Sequence, residues 1–258
     1  MTKPILLCAA WALGCAPGLL HACNGTATQD SSPNITRPDL HGIAVFLPQL
    51  LENNQNSPFA ELLYVVARHY KEGKISFSIE PVKRVYMDTN DKNADFRFPI
   101  MKVREGADDA TPYQFTKEML GKVTFVLYTH KTKPLDKEDV LRMANLAKYN
   151  IEAPPVNWGF PSKSVVNLEL SLKKLNLGRV DGVLWAQEEA DYLVRKFKLN
   201  NIRRARFDDY PDVFFLNCNR RGDFVHQALN RAIRAARASG ELQKAYAKVH
   251  KPYQDWQP

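Results

Sequence analysis

The stretch LNLGRVDGV, residues 175–183, decides how this chain folds. Its first half closes an apolar helical pattern at Gly178, a residue type that commonly follows the end of a helix. Its second half starts a strand near Asp181 that continues as the buried run VDGVLW, residues 180–185. A helix that leads directly into a buried strand is the repeating unit of α/β proteins.

The same alternation extends to both sides of this stretch. Short apolar or alternating runs predict strands, and apolar residues at helical spacing predict the helices between them. The predicted fold class is therefore α/β with largely parallel sheets. The predicted strands are His41–Leu47, Lys74–Ile79, Ala94–Ile100, Lys122–Thr129 and Asp212–Leu216. The predicted helices begin at Ser57-Pro58 and then cover Val82–Asp91, 133–148, Ser162–Leu177, Glu188–Phe197 and the region after Val225.

The N-terminus has the organisation of a secretory signal peptide. Within residues 1–22, Lys3 precedes an apolar run that ends in small residues, and no acidic residue occurs. The alternative is a membrane anchor, but Pro17 and Gly18 break a run that is barely as long as a span requires. We therefore expect cleavage of residues 1–22, export to the periplasm, and a flexible polar leader over residues 23–38.

Cys23 and Cys218 remain after such a cut, and they leave two arrangements open. They are too few for a disulfide framework, although one bridge is compatible with an oxidising compartment. Alternatively, the run LHAC over residues 20–23 resembles a lipobox, which would place a lipid anchor on Cys23.

Composition and charge indicate an ordinary globular protein. Hydrophobic residues make up 45% of the chain, and the formal net charge is +8. The basic residues are spread along the sequence, which favours a solvated surface over a binding patch. Export argues against nucleic acid as a partner.

The sequence lacks the motifs of the common enzyme and cofactor classes. It has no G-x-S-x-G elbow, no P-loop and no dinucleotide fingerprint, and its six histidines are not spaced as zinc ligands. We therefore expect no cofactor, no metal and no enzymatic activity. The adjacent carboxylates Glu188 and Glu189 face different directions on a helix, so we expect them at the surface.

Several segments together resemble the bacterial extracellular solute-binding proteins of the amino-acid transporter class. The first is LNLGRVDGV, followed by the strand DVFFLNCNRRGD from Asp212 and a helix ending RAARASGELQKAYAKV. In the N-terminal half, residues 81–84 (PVKR) followed by 92–95 (KNAD) resemble the first lobe of the same family. The resemblance covers most of residues 40–250.

The resemblance implies two α/β lobes, each a mostly parallel sheet flanked by helices, with the ligand enclosed in the cleft between them. The crossover strands would be Val123–Thr129 and Asp212–Leu216, which would also act as the hinge for closure. Lobe one would then comprise residues 39–124 and 212–258, and lobe two residues 125–211.

Residue types and the resemblance together nominate ligand-binding residues. Arg84 is expected to pair with an anionic group of the ligand, and Tyr113 and Trp158 to cover an apolar part. Ser162 and Ser164 are expected at the N-terminus of the helix over Ser162–Leu177.

Gln187 is the sixth nominated residue. Relatives of this class place an acid after the strand that contains Asp181, to hold the ammonium group of the ligand. Here that region is Trp185-Ala186-Gln187. An amide carries no charge, so Gln187 predicts a neutral ligand group at this place.

The predicted function is a monomeric periplasmic solute-binding protein that captures a small polar or anionic solute by closing its lobes. Its partner would be an ABC-type membrane permease or a sensor. Two alternatives stay open because a fold does not fix a function. They are a small enzyme on the same scaffold, dehydratase- or lyase-like, and a non-transport interaction protein of the cell envelope.

Overall fold

A computed structural model describes residues 37–53, 56–87, 94–103 and 113–258. The predicted signal peptide, most of the leader and the end of the predicted helix over Val82–Asp91 lie outside these ranges. The strands are β1 (Leu40–Val45), β2 (Ile75–Glu80), β3 (Phe96–Met101), β4 (Tyr113–Phe115), β5 (Gly121–His130), β6 (Ile151–Ala153), β7 (Lys163–Ser164), β8 (Gly182–Ala186) and β9 (Ile202–Asn217). The helices are α1 (Pro58–His69), α2 (Val82–Met87), α3 (Lys137–Leu141), α4 (Leu168–Asn176), α5 (Gln187–Lys196), α6 (Arg220–Ala238) and α7 (Glu241–Val249).

The stretch LNLGRVDGV forms the helix-to-strand connection that its sequence predicts. Helix α4 ends before Gly178, whose φ of 68° lies in the left-handed region that glycine tolerates. The N–H of Arg179 donates to the carbonyl of Lys174 and closes the helix end. Asp181 then accepts a hydrogen bond from the N–H of Asn150 at 2.8 Å, which holds the start of β8 beside β6.

One mixed sheet runs through the molecule in the order β2-β1-β3-β9-β5-β8-β6-β7, and β4 pairs with β9. The pairs towards its two ends are parallel, as α/β architecture predicts. The described pairings that involve β5 or β9 are all antiparallel. Strand β9 pairs with β5 along the whole length of β5, so these two strands connect the two ends of the sheet.

The apolar core is divided along this sheet. One cluster combines side chains of β1, β3, α1, α6 and α7, and we call this body lobe one. Two further clusters lie where β5, β8 and β9 meet α4 and α5, and where the same strands meet α3 and the segment after β6. We call the body that contains these clusters lobe two.

Two predicted helices are shorter than their patterns suggest. The helix expected over Ser162–Leu177 begins at α4, because Lys163–Ser164 pairs with β6 as the strand β7. Ser162 and Ser164 therefore do not lie at the N-terminus of this helix, and the prediction that they do is wrong. Asn167 is the N-cap, and its side-chain oxygen accepts a hydrogen bond from the N–H of Leu170 at 3.0 Å. The helix expected over 133–148 is reduced to α3 and a short 3-10 turn.

The last strand is much longer than the prediction Asp212–Leu216. Its first part, IRRARFDDYP, is rich in charge, and so its sequence does not resemble a strand. Nevertheless, several of its side chains are buried, among them that of Arg204. Arg204 is buried because partners elsewhere in the fold satisfy it, which the local pattern does not reveal.

Among the described helices, none has the length and apolar character needed to cross a bilayer. Cys218, directly after β9, is in a disulfide bond. The other cysteines of the chain lie outside the described residues, so a pairing with Cys23 stays a prediction.

Candidate functional site

A cavity lies between the two lobes, where β5 and β9 pass from one to the other. Lobe one contributes the ends of β1 and β3 and parts of α1 and α2, and lobe two contributes the end of β8 and the first turn of α5. The space enclosed by its walls and open mouth is about 540 Å³, of which about 70 Å³ can hold the centre of a water molecule. Its position between two bodies is typical of a small-molecule site.

Most of the wall of this cavity is apolar or aromatic. Representative wall residues are Phe59, Tyr86, Met101, Phe125 and Trp185. The acidic and imidazole groups on the wall belong to Glu189, Asp212 and His250. Among the described lining residues there is no lysine or arginine. The charged chemistry of this part of the site is therefore acidic.

Glu189 reaches the cavity from the first turn of α5. It is 3% exposed, and its Oε2 atom has no hydrogen-bond partner among the described residues. Burial raises the pKa of Glu189 to about 8, and the negative charge of Glu188 adds to the rise. Hydrogen bonds from its own N–H and from the Trp185 side chain act in the opposite direction. Glu189 therefore tends to keep its proton at neutral pH unless a positive charge enters the cavity.

Asp212 reaches the same cavity from the crossover strand β9. It is 2% exposed, and its Oδ2 atom likewise has no hydrogen-bond partner within the described ranges. Burial raises the pKa of Asp212 to about 7, while the nearby His250 lowers it and Glu188 raises it. A carboxyl group in this condition changes protonation easily when its surroundings change.

His250 lies between the lobes at one side of the cavity. Its Nδ1 atom is 3.2 Å from Oε1 of Glu188 on α5, and its Nε2 atom is 3.9 Å from Oδ2 of Asp212. Its ring packs against Tyr246 of α7, with 4.4 Å between ring centres. In the part of the chain that the structure describes, no three acidic, histidine or cysteine side chains converge as metal ligands would.

The expectation that Glu188 and Glu189 lie at the surface is wrong. The Glu188 side chain is largely buried, and that of Glu189 lines the cavity. The reason lies in a tertiary contact. The residues that follow α7 cover the N-terminus of α5, and the N–H of Lys251 donates to Glu188 at 3.2 Å.

The six residues nominated from the sequence are absent from the described lining of this cavity. Arg84 is exposed on α2 and forms an ion pair with Glu80 at 3.3 Å. Tyr113 stacks on Phe215 where β4 pairs with β9, with 4.7 Å between ring centres. Ligand contact by Arg84 and Tyr113 thus stays a prediction.

Trp158, Ser162 and Ser164 lie in lobe two. Trp158 is buried, donates its indole N–H to the carbonyl of Pro154 at 2.9 Å, and packs against the wall residue Phe125. It therefore supports the cavity wall from behind. Ser162 and Ser164 are exposed, and Ser164 belongs to the edge strand β7.

Gln187 is buried, and its amide is used within the protein. Its Nε2 donates to the carbonyl of Lys251 at 2.5 Å and to Oε1 of Glu188 at 3.2 Å. Two residues further along α5, Glu189 presents the acid that sequence reasoning did not find at this end of β8. The adjacent pair Glu188-Glu189, separated by one residue from the end of the buried strand β8, was the available signal.

No protein-family model matches the sequence, and no curated protein matches it. Solved structures do match its fold. The GluR0 ligand-binding core from Nostoc punctiforme, in complex with L-glutamate, superposes with a TM-score of 0.60 and 12% identity over 83% of this chain and 100% of its own. A histidine kinase sensor domain with similarity to periplasmic binding proteins superposes with a TM-score of 0.61 and 14% identity, over 83% of this chain and 98% of its own. An ABC uptake transporter substrate-binding protein from Streptococcus pneumoniae with bound histidine superposes with a TM-score of 0.60 and 13% identity, over 83% of this chain and 93% of its own.

These likenesses establish the fold. The chain has the two-lobed α/β fold of periplasmic binding proteins, which confirms the fold class and the resemblance predicted from LNLGRVDGV. The superpositions cover nearly the full length of each relative, so both lobes are included.

Proposed function

We propose that this chain is a solute-binding protein that closes its lobes around a small molecule bearing a positively charged nitrogen. The observation that carries the proposal is the pair of buried carboxyls, Glu189 and Asp212, each with an oxygen that has no hydrogen-bond partner in the described structure, in an otherwise largely apolar cavity. Buried polar groups without partners are costly. An ammonium group supplies both the missing hydrogen-bond donors and the countercharge.

The remainder of the ligand is expected to be apolar in its middle and polar at its far end. The aromatic wall would cover the apolar part. A second groove shares Leu47, Val82 and Trp185 with this cavity and carries Glu52, Glu169 and Lys196. A polar or anionic end of the ligand would meet Lys196 there, which agrees with the polar solute expected from the sequence.

Closure would take place where β5 and β9 join the lobes. We retain residues 39–124 and 212–249 as lobe one and 125–211 as lobe two, with the hinge at 123–129 and 212–216. The last residues, 250–258, were expected in lobe one, but Tyr253 and Trp256 pack against the lobe-two core. Support comes from the separate cores and from the antiparallel pairing of the two strands. Because Asp212 lies on the hinge strand, a ligand that pairs with it also contacts the hinge. Solution scattering should show a smaller radius of gyration with ligand than without it, and an unchanged radius with saturating ligand would refute closure.

The partner is proposed to be a membrane permease or a sensor, and the compartment the periplasm. The structural relatives include a histidine kinase sensor domain and the substrate-binding protein of an ABC uptake transporter. Intact-mass analysis should find a mature chain that starts near Cys23 in the periplasmic fraction. A cytosolic chain that retains Met1 would contradict this.

The enzyme alternative has one specific observation in its favour. Carboxyls whose pKa values lie near neutrality, such as those of Glu189 and Asp212, also suit general acid–base catalysis. Chemical turnover of any bound compound would therefore decide between an enzyme and a binding protein.

The direct test compares two ligands that differ in charge. Phenethylamine and phenethyl alcohol share an apolar ring, and only the amine is cationic at neutral pH. We expect calorimetry and ligand-observed NMR to detect binding of the amine alone. The variant Glu189→Gln should weaken this binding at least tenfold, about 1.4 kcal/mol. The matched variant Glu138→Gln changes an exposed glutamate at the start of α3 and should leave binding unchanged. Equal affinity for amine and alcohol would refute the proposed charge of the ligand.

A further inference from the structure

The segment after α7 passes from lobe one to lobe two. Val249, at the end of α7, is buried in the lobe-one core. Tyr253 and Trp256 pack against the lobe-two core that α4 and α5 help to form. We call residues 250–258 the strap. The strap is therefore a third segment that passes between the lobes, besides β5 and β9.

The strap crosses directly beside the cavity. The side-chain amide of Gln187 donates to the carbonyl of Lys251 at 2.5 Å, and the N–H of Lys251 donates to Oε1 of Glu188 at 3.2 Å. Gln187 and Glu188 are the first two residues of α5 and directly precede Glu189. The strap therefore holds the turn of α5 that presents Glu189 to the cavity.

Arg204 anchors the strap on lobe two. Its guanidinium group donates two hydrogen bonds to Asp191 at 2.6 and 2.7 Å. It also donates to the carbonyls of Gln254 and Trp256 at 3.1 and 2.7 Å. Arg204 is 1% exposed, so these charge-assisted bonds form away from water, where they are strong.

Trp256 and Gln257 fix the strap along β9. The Trp256 ring contacts the guanidinium groups of Arg195 and Arg204, at 4.0 and 4.4 Å from its centre. The side-chain amide of Gln257 accepts from the N–H of Arg204 and donates to its carbonyl, each at 2.9 Å. Side-chain and backbone contacts thus fix the strap in one register.

We propose that the strap is a third connection between the lobes, which positions Glu189 in the cavity and limits how far the lobes open. Two adjacent strands permit bending about an axis across them. A third tether that is attached at α5 and at Arg204 restricts that bending and also fixes the orientation of α5. The consequence for ligand affinity rests on the proposed function, whereas the restriction of lobe motion does not require a ligand.

The test measures lobe separation without ligand. Spin labels at Lys71→Cys in lobe one and Leu177→Cys in lobe two occupy exposed positions, and pulsed EPR reports the distances between them. In the Trp256→Ala variant, and in a chain that ends after Lys251, the distribution should broaden and extend to longer distances. Trp256→Phe keeps a ring for the two arginines and should restore most of the narrow distribution.

Two further variants complete the test. Lys248→Ala removes an ion pair with Glu61 inside lobe one and should leave the distances unchanged. If Trp256→Ala does not fold, Gln257→Ala removes the two bonds to the Arg204 backbone and one bond to Asp255 within the strap, and it should broaden the distribution less. Unchanged distances in every folded strap variant would overturn the proposal.

Phenethylamine affinity separates this proposal from the proposed function. If the strap positions Glu189, the strap variants that open the lobes should bind the amine about tenfold more weakly. Amine binding that is unchanged despite wider lobe separation would overturn the positioning role. If the intact protein does not bind the amine while the strap variants still open the lobes, the tether stands and the proposed ligand class fails.

Discussion

Helix α5 and strand β9 each contribute to two buried polar sites, and these sites differ in how fully they are hydrogen-bonded. Asp191 on α5 accepts four hydrogen bonds, two from Arg204 on β9 and one each from Tyr128 and Trp256. Glu189, two residues earlier on α5, has an oxygen with no hydrogen-bond partner in the described structure, and so has Asp212 on β9, where His250 approaches only to 3.9 Å. The first site is completed by the protein itself. The second requires a proton or a ligand.

This difference shows which buried charges indicate function. The carboxyl groups of both sites are buried, so burial alone does not mark a binding site. The distinction lies in the number of donors that the fold provides. A fully paired site stabilises one arrangement of the chain, whereas an unpaired carboxyl on a cavity wall is available to a ligand.

The largest expected effect is on stability, when the hydrogen-bonded site around Asp191 loses Arg204. Arg204→Leu leaves Asp191 buried without its countercharge, which should lower the free energy of unfolding by about 3–5 kcal/mol. Urea unfolding checks this. Arg206→Leu is the matched control two residues away on β9, where the side chain is 54% exposed and pairs with Asp209. Arg206→Leu should lower the free energy of unfolding by less than about 1 kcal/mol. Equal losses in the two variants would contradict the comparison.

The unpaired site should make stability fall as pH rises. The pKa of Glu189 is raised from 4.5 to about 8, and that of Asp212 from 3.8 to about 7. At pH values between the ordinary and the raised pKa of each group, the unfolded chain has released a proton that the folded chain retains. The free energy of unfolding therefore decreases as pH rises, and becomes constant above about pH 8. Each tenfold difference in proton affinity between the folded and unfolded chains corresponds to about 1.4 kcal/mol of stability.

Urea unfolding of the Glu189→Gln variant isolates this contribution. The amide cannot ionise, so the variant should lose much of the pH dependence and be more stable than the unmodified chain at about pH 9. At about pH 4 the two proteins should be similar. A variant that is less stable than the unmodified chain at high pH would show that Glu189 is paired in solution.

A smaller effect concerns ligand affinity. A cationic ligand favours the ionised carboxyls, so its binding below the raised pKa values must release protons. Phenethylamine affinity should therefore rise with pH, by up to about tenfold per pH unit for each proton released, and become constant above about pH 8. Calorimetry in buffers of different ionisation enthalpy counts the protons. Binding without proton release near pH 6 would contradict the raised pKa values.

Much of the fold could be predicted from the sequence because its signals are local. The apolar runs of β1, β5 and β8, and Gly178 after α4, each act over a few residues. The first part of β9 could not be predicted in this way. Arg204 is tolerated in a buried strand only because Asp191 and the strap, distant in sequence, surround it.

The site was less accessible to prediction for the same reason. Glu189 is buried because the strap covers the N-terminus of α5, and no local pattern encodes that contact. Asp212 is the first residue of the predicted strand Asp212–Leu216, which forms the last part of β9. No local pattern indicates that its carboxyl lies in an acidic cluster with Glu188 and Glu189. Gln187 was placed at the correct end of β8, although its amide bonds to the strap.

The smallest expected effect concerns Arg84. Val82 and Tyr86 line the cavity from α2 and are four residues apart, so they share one face of the helix. Arg84 lies between them on the opposite face, is 62% exposed, and pairs with Glu80. Arg84→Ala should therefore cost less than about 1 kcal/mol in stability and leave phenethylamine affinity unchanged in calorimetry, in contrast to Glu189→Gln. A tenfold loss of affinity would support the anion-binding role first predicted for Arg84. It would also show that the acidic cavity is only part of the binding site.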